Sequence, residues 1–132
     1  MKRALFLCEH SGKTARPWVD AGYECLCIDM QNTNGKDNGY WWMHGDVTEP
    51  AVLDYYASEY RWGFACAMPP CTDLAGSGAR WFKDKGLQAF IDALTVVRAC
   101  ELILERAGCP YFIENPVGRL SSWRKPDHIF DP

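Results

Sequence analysis

The chain contains no Cys-x-x-Cys pair, and its three histidines stand apart at positions 10, 44 and 128. The ligand spacing of a structural zinc site is therefore missing, and no metal site is expected. Seven cysteines at irregular intervals make an odd count, so the even framework of a disulfide-stapled domain is excluded as well. The thiols are read as reduced and the setting as cytoplasmic. No apolar run approaches the roughly 20 residues that a membrane span requires. Ala4-Leu5-Phe6-Leu7-Cys8, behind Met1-Lys2-Arg3, is too short for a signal peptide and runs into Glu9-His10 without a small-residue cleavage site. A basic excess is also lacking. Lys and Arg total 14 against 17 Asp and Glu, a formal net charge of −3, which argues against strong stand-alone binding to duplex DNA. Glycine is scarce in the first loop, which holds Gly12 alone. Neither a Gly-x-Gly-x-x-Gly turn nor a P-loop is possible there, so a cofactor without phosphates fits better than a nucleotide. Internal repeats and low-complexity tracts are absent.

What remains is enough for a real core. The 132 residues are 48% hydrophobic and 14% aromatic, the profile of one globular domain over 1–132. Strand and helix signals alternate from end to end. Residues 4–8 form a first apolar strand, and 14–21 a short helix, capped at Ser11 or Thr14 and closed by Gly22. A second strand covers 24–29, in which Cys25 and Cys27 are read as leaving on opposite faces. Residues 31–40 form a polar Asn/Gly loop and 40–43 a short third strand. A helix over 50–60 leads to a fourth strand, Trp62-Gly63-Phe64-Ala65-Cys66-Ala67-Met68. Residues 72–85 form a glycine-bearing loop. Leu87, Phe90, Ile91, Leu94, Val97, Leu102 and Ile103 then recur near helical spacing over 86–107, and Gly108 caps that helix. Tyr111-Phe112-Ile113 is the fifth strand. This alternation predicts a three-layer α/β fold with a mostly parallel sheet and helices on both faces. Residues 119–132 are a basic, aromatic tail.

Two short motifs sit where strands open into loops: Pro69-Pro70-Cys71 after the fourth strand and Glu114-Asn115-Pro116 after the fifth. In an open α/β sheet, ligands bind at the carboxyl ends of the strands. A thiol and a carboxylate at two such ends suit addition by sulfur beside an acid. The two prolines stiffen the turn that aims Cys71. The Phe112-Ile113 lead-in is expected to desolvate Glu114 partly, and Asn115 to orient it or to bind substrate. Glu9, Asp29 and Asp46 follow the other three strands. A carboxylate at position 29 stands where dinucleotide-type folds bind ribose hydroxyls, whereas Asp46, on position alone, reads as a turn residue or helix cap.

Together these residues resemble the DNA cytosine-5 methyltransferases, including short phage-type members, from Leu5 to about Gly118. Pro70-Cys71 resembles the family's Pro-Cys nucleophile motif, and Thr72-Asp73-Leu74-Ala75-Gly76-Ser77-Gly78 its catalytic loop. Phe112-Ile113-Glu114-Asn115 resembles its Phe-x-Glu-Asn motif, and Gly45-Asp46-Val47-Thr48 its Gly-Asp-Ile-Thr segment. The resemblance implies an incomplete class I, Rossmann-like fold, with its sheet in the order 3-2-1-4-5, that binds S-adenosylmethionine and methylates cytosine at C5 in DNA. It assigns catalytic roles to Pro70, Cys71, Ser77, Glu114 and Asn115, and cofactor binding to Glu9, Ser11, Gly12, Asp29, Met30, Asp46, Val47 and Pro69. It further implies a bacterial or phage-infected cell, no target-recognition domain, and a homodimer or second chain that completes the sheet. The chain departs from the family in the first loop, where Leu7-Cys8-Glu9-His10-Ser11-Gly12 replaces Phe-x-Gly-x-Gly. Two alternatives stay open: another pyrimidine modification with the same Cys71/Glu114 pair, and a non-catalytic binding protein that keeps the fold.

Overall fold

Arg3-Ala4-Leu5-Phe6-Leu7 contains no polar side chain after its first residue, and such a run is stable as a strand only when both of its faces are covered. The computed structural model, which describes residues 2–52, 61–70, 82–115, 120 and 123–129, places it at the heart of a sheet. The elements in chain order are β1 (Arg3–Leu7), α1 (Arg16–Asp20), β2 (Glu24–Asp29), β3 (Gly35–Asp37), β4 (Tyr40–His44), β5 (Phe64–Ala67), α2 (Phe82–Ala107) and β6 (Tyr111–Ile113). Residues 50–52 are helical, and the rest of the helix expected over 50–60 lies outside the described residues. The six strands form one sheet in the order β3-β4-β2-β1-β5-β6. Every pairing is parallel except that of β3 with β4. This is an α/β fold with a mixed, mostly parallel sheet.

Alternation along the strands divides the core in two. Leu5 and Leu7, Leu26 and Ile28, and Ala65 and Ala67 share one face, where Cys100, Ile103 and Leu104 of α2 cover them. Ala4 and Phe6, Cys25 and Cys27, and Cys66 share the other, beneath Ala15, Trp18 and Val19 of the α1 region. Cys25 and Cys27 thus leave on the same face and not on opposite ones, as a two-residue spacing in a strand requires. Small residues on that face make room for aromatic ones: Trp18 stacks on Phe64 with ring centroids 4.5 Å apart and meets Phe6 edge-on at 5.6 Å.

Three other sequence expectations are corrected. The stretch 31–40 is not wholly a loop, because Gly35–Asp37 pairs antiparallel with β4. Asn38 (φ 46°) and Gly39 (φ 91°) both take left-handed backbone conformations, the signature of a two-residue hairpin turn. The first helix spans only Arg16–Asp20, and its N-cap is Ala15, without a side-chain cap from Ser11 or Thr14. α2 begins at Phe82, inside the expected 72–85 loop, and is broken at Gly86 (φ 80°, ψ 173°) before the long helix resumes. Leu120 and Trp123 of the tail line a shallow pocket with Leu94 and Val97 of α2. Among the described residues β6 is the outer strand on its side, with Tyr111 and Phe112 about two-fifths exposed. Among the described residues no helix is long and apolar enough to cross a membrane.

The hairpin turn provides a test of the β3–β4 edge. A Cβ at Gly39 would meet Val19 Cγ1 at 3.0 Å in a conformation that L-residues avoid, whereas a Cβ at Gly35 meets nothing within 4 Å. Gly39→Ala is expected to lower stability by about 1–2 kcal/mol in urea denaturation, and Gly35→Ala to change it by less than about 0.5 kcal/mol. Equal effects would contradict the turn geometry.

Candidate active site

Because β4, β2, β1, β5 and β6 run parallel, their carboxyl ends open on one edge of the sheet. The register fixes how closely: Leu7 pairs with Ile28 and Ala67, Ala67 with Ile113, and Ile28 with Met43. Glu9, Asp29, Asp46, Pro69 and Glu114 all follow within three residues of these aligned positions. The ladder continues past the strand ends, since Met68 N–H donates to Leu7 O (3.1 Å) and Glu114 N–H to Ala67 O (2.9 Å). The chain order turns at β1, with β2 on one side and β5 on the other. In open α/β sheets the crevice at such a switch point is the usual ligand site.

β1 ends because Cys8 adopts φ 59°, a left-handed conformation that a non-glycine residue rarely takes. The turn is held by Cys8 N–H donating to Ile28 O at 2.8 Å. It sends the Cys8 thiol against Cys100 of α2, with the sulfurs 4.0 Å apart, and leaves Glu9 buried. The Glu9 carboxylate faces its own loop. Oε1 accepts from Ser11 N–H, Ser11 Oγ–H and Gly12 N–H, and Oε2 from Thr14 N–H, all at 3.0–3.2 Å. Ser11 and Gly12 are thus engaged with Glu9. Gly12 is required for a second reason: a Cβ there would lie 2.8 Å from Trp42 Cη2. Tyr40, stacked on Trp42, donates its hydroxyl to Gly12 O at 3.1 Å.

Asp29 Oδ1 accepts from Gln31 N–H at 2.8 Å, and Oδ2 faces His10 Nδ1 at 3.9 Å. Met30 beside it is exposed. Asp46 Oδ1 accepts from both Thr48 N–H (2.9 Å) and Thr48 Oγ–H (2.7 Å), the turn-capping role that its position suggested. Val47 points into the core under α2, so its side chain is not available to the crevice. On the other side of β1, Pro69 is buried and Pro70 exposed. Asn115 Nδ2 donates to Pro69 O at 3.3 Å, joining the two motifs, while Asn115 Oδ1 is buried without a partner. Glu114 is half-buried beside it. Cys71 and Ser77 lie outside the described residues.

One residue of this edge escaped the sequence reading. Asn32 is buried, and its Nδ2 donates to Glu9 O and to Cys27 O, each at 3.0 Å, stitching the ends of β1 and β2 together. Nothing local distinguishes Asn32 from Asn34 or Asn38, since its burial depends on Glu9, 23 residues away, as well as on Cys27. Compared with family models, curated proteins and solved structures, the chain matches none.

The thiols divide by environment. Burial pushes Cys25 up to about 12. Burial first, and then the Glu9 charge, pushes Cys27 and Cys66 up further. The hydrogen bond with the Cys8 thiol, with burial, raises Cys100. Such thiols stay neutral near pH 7 and do not act as nucleophiles. Their folded-state pKa values lie above the unfolded value of about 8.5, so the folded chain keeps protons that the unfolded chain releases. This stabilisation is complete below about pH 8.5 and is lost as pH rises toward the folded values. Urea midpoints are expected to fall from about pH 8.5 upward, and less steeply in Cys66→Ala than in the parent. Equal slopes in the two proteins would show that the buried thiol does not contribute.

Proposed function

We propose that the chain is an S-adenosylmethionine-dependent enzyme that methylates cytosine at C5 in DNA, of the class I methyltransferase type. One observation carries this reading. Pro69, two residues before Cys71, and Asn115, directly after Glu114, are hydrogen-bonded at the switch-point edge. A motif bearing a thiol and a motif bearing a carboxylate are thereby tied at adjacent strand ends, which is what addition to a pyrimidine with acid assistance requires.

In this reading the Cys71 thiolate adds to C6 of the cytosine. Glu114 holds the N3 side of the ring and supplies the proton there, leaving C5 nucleophilic. S-adenosylmethionine, when bound, supplies the electrophilic methyl group that C5 takes up. A base then removes the C5 proton, the C6–sulfur bond breaks to release Cys71, and the N3 proton returns to Glu114. In duplex DNA the target base must first leave the stack. Asp29 would hold ribose hydroxyls and Asp46 the adenine amine, with Met30 at the rim. The fit rests on chemistry visible at this edge: the first loop carries a carboxylate in place of free phosphate donors, and the buried Asn115 Oδ1 is an acceptor still open to an N–H donor.

Isothermal titration with S-adenosylmethionine, followed by incubation with DNA containing 5-fluorocytosine, tests the proposal. The parent is expected to bind the cofactor and to form a covalent adduct, because fluorine blocks the final elimination. Cys71→Ser is expected to bind but not to trap. Cofactor binding without trapping on any DNA, with methyl transfer to free nucleotides instead, would move the substrate to the nucleotide level. No binding by the parent would point to a non-catalytic protein.

Asn115 is a positioning residue in this scheme. Asn115→Ala removes the bond to Pro69 O and is expected to lower kcat about tenfold, the equivalent of one neutral hydrogen bond, with little change in cofactor affinity. A loss of cofactor affinity with kcat unchanged would refute that role.

A further inference from the structure

Glu9 is 4% exposed at the switch point, and its carboxylate is solvated entirely by the loop that follows it. Three backbone N–H groups, from Ser11, Gly12 and Thr14, converge on it together with the Ser11 hydroxyl. Converging backbone donors after the first strand are the arrangement that nucleotide-binding folds offer to a phosphate. Here both carboxylate oxygens occupy that position. The loop is held in this shape from outside, by Asn32 on Glu9 O, by Tyr40 on Gly12 O, and by Trp42 packed where a Cβ at Gly12 would lie.

We propose that Glu9 is a specificity determinant: an internal anion that fills the anion-binding nest after β1, so that the crevice rejects ligands bearing phosphate at this end and admits nucleosides whose group there is neutral or cationic. A phosphate arriving at the loop finds its backbone donors already engaged and meets a carboxylate of like charge. A sulfonium or ammonium group meets no such opposition. The nest itself is independent of the function proposed above; only the identity of the admitted ligand rests on that reading.

Thermal denaturation separates the two. The parent is expected to melt at the same temperature in inorganic phosphate or acetate as in sodium chloride of equal ionic strength. Glu9→Ala empties the nest and is expected to melt lower in chloride and to regain several degrees in acetate or phosphate, because an anion that binds only the folded chain stabilises it. Should Glu9→Ala fold only in acetate or phosphate, that rescue supports the assignment equally. Glu9→Gln, which retains an acceptor but no charge, is expected to gain more from phosphate than the parent does. If neither variant responds to the anions beyond chloride, or neither folds in any of the three salts, the nest assignment is overturned. Equilibrium dialysis forms the second arm: the parent is expected to bind adenosine at least tenfold more tightly than ADP, with the ratio narrowing in Glu9→Gln. Anion rescue in a chain whose parent binds neither adenosine nor S-adenosylmethionine would leave the nest standing and remove the cofactor reading. ADP binding by the parent as tight as adenosine binding would overturn the exclusion of phosphate.

Discussion

Burial of β1 on both faces is the constraint from which the rest of the structure follows. Ala4 and Phe6 fill one layer and Leu5 and Leu7 the other, and none of the four retains any exposure. A strand in this position has no place for a polar side chain except beyond its ends. It also has no freedom of register, since a shift of one residue would exchange Phe6 for Leu5 or Leu7 and turn both layers inside out. The neighbours β2 and β5 obey the same double burial, so three parallel strands are locked at one height. Alignment of polar residues at their carboxyl ends is a by-product of apolar packing.

The transition from strand to loop is where the packed core gives way to polar chemistry. Cys8 takes a left-handed backbone that costs about 1–2 kcal/mol. It is sustained by its bond to Ile28 O, by its contact with Cys100 and by Asn32 bracing the next carbonyl. In return the strand ends there, and the Glu9 carboxylate sits against its own loop. α1 has only five residues and no side-chain cap, too short to fix the loop by itself. The buried carboxylate supplies the anchoring that such a short helix lacks.

The parallel core was legible because its signal is local: apolar runs bounded by turn residues, alternating with helical spacing, mark the five strands and a mostly parallel sheet. What escaped depends on distance or on a short motif among similar neighbours. Asn38-Gly39 is a strong hairpin signal, yet it lies in a polar stretch without the alternating apolar flanks that would mark β3. Asn32 is buried only because Glu9 and Cys27 converge on it from two strands. Gly12 resembles a cofactor glycine in sequence, whereas its space is claimed by Trp42 of β4, 30 positions away. Of the candidate site, the strand-end placement of Glu9, Asp29, Asp46 and Glu114 followed from the alternation alone; that of Cys71 lies outside the described residues. The inward turn of Glu9 and the core position of Val47 did not, because they are decided by packing across the sheet.

The distribution of thiols narrows the chemistry further. Cys25, Cys27 and Cys66 line the α1 face, where their small volume accommodates Phe6, Trp18 and Phe64, and Cys100 fills the opposite layer. Burial holds Cys25, Cys27 and Cys66 neutral, and the hydrogen bond with the Cys8 thiol, with burial, does the same for Cys100. Cys8 reaches the strand-end edge by backbone, but its sulfur turns under α2 toward Cys100. Cys109 precedes β6 and therefore stands at the amino-terminal edge, away from the crevice. Six cysteines are thus committed to packing or to the wrong side of the sheet. Cys71, two residues after the Pro69 that Asn115 tethers, is the cysteine proposed as the nucleophile. Three of these thiols are explained by the room they leave for aromatic side chains under α1, and cysteine content by itself carries no functional information here.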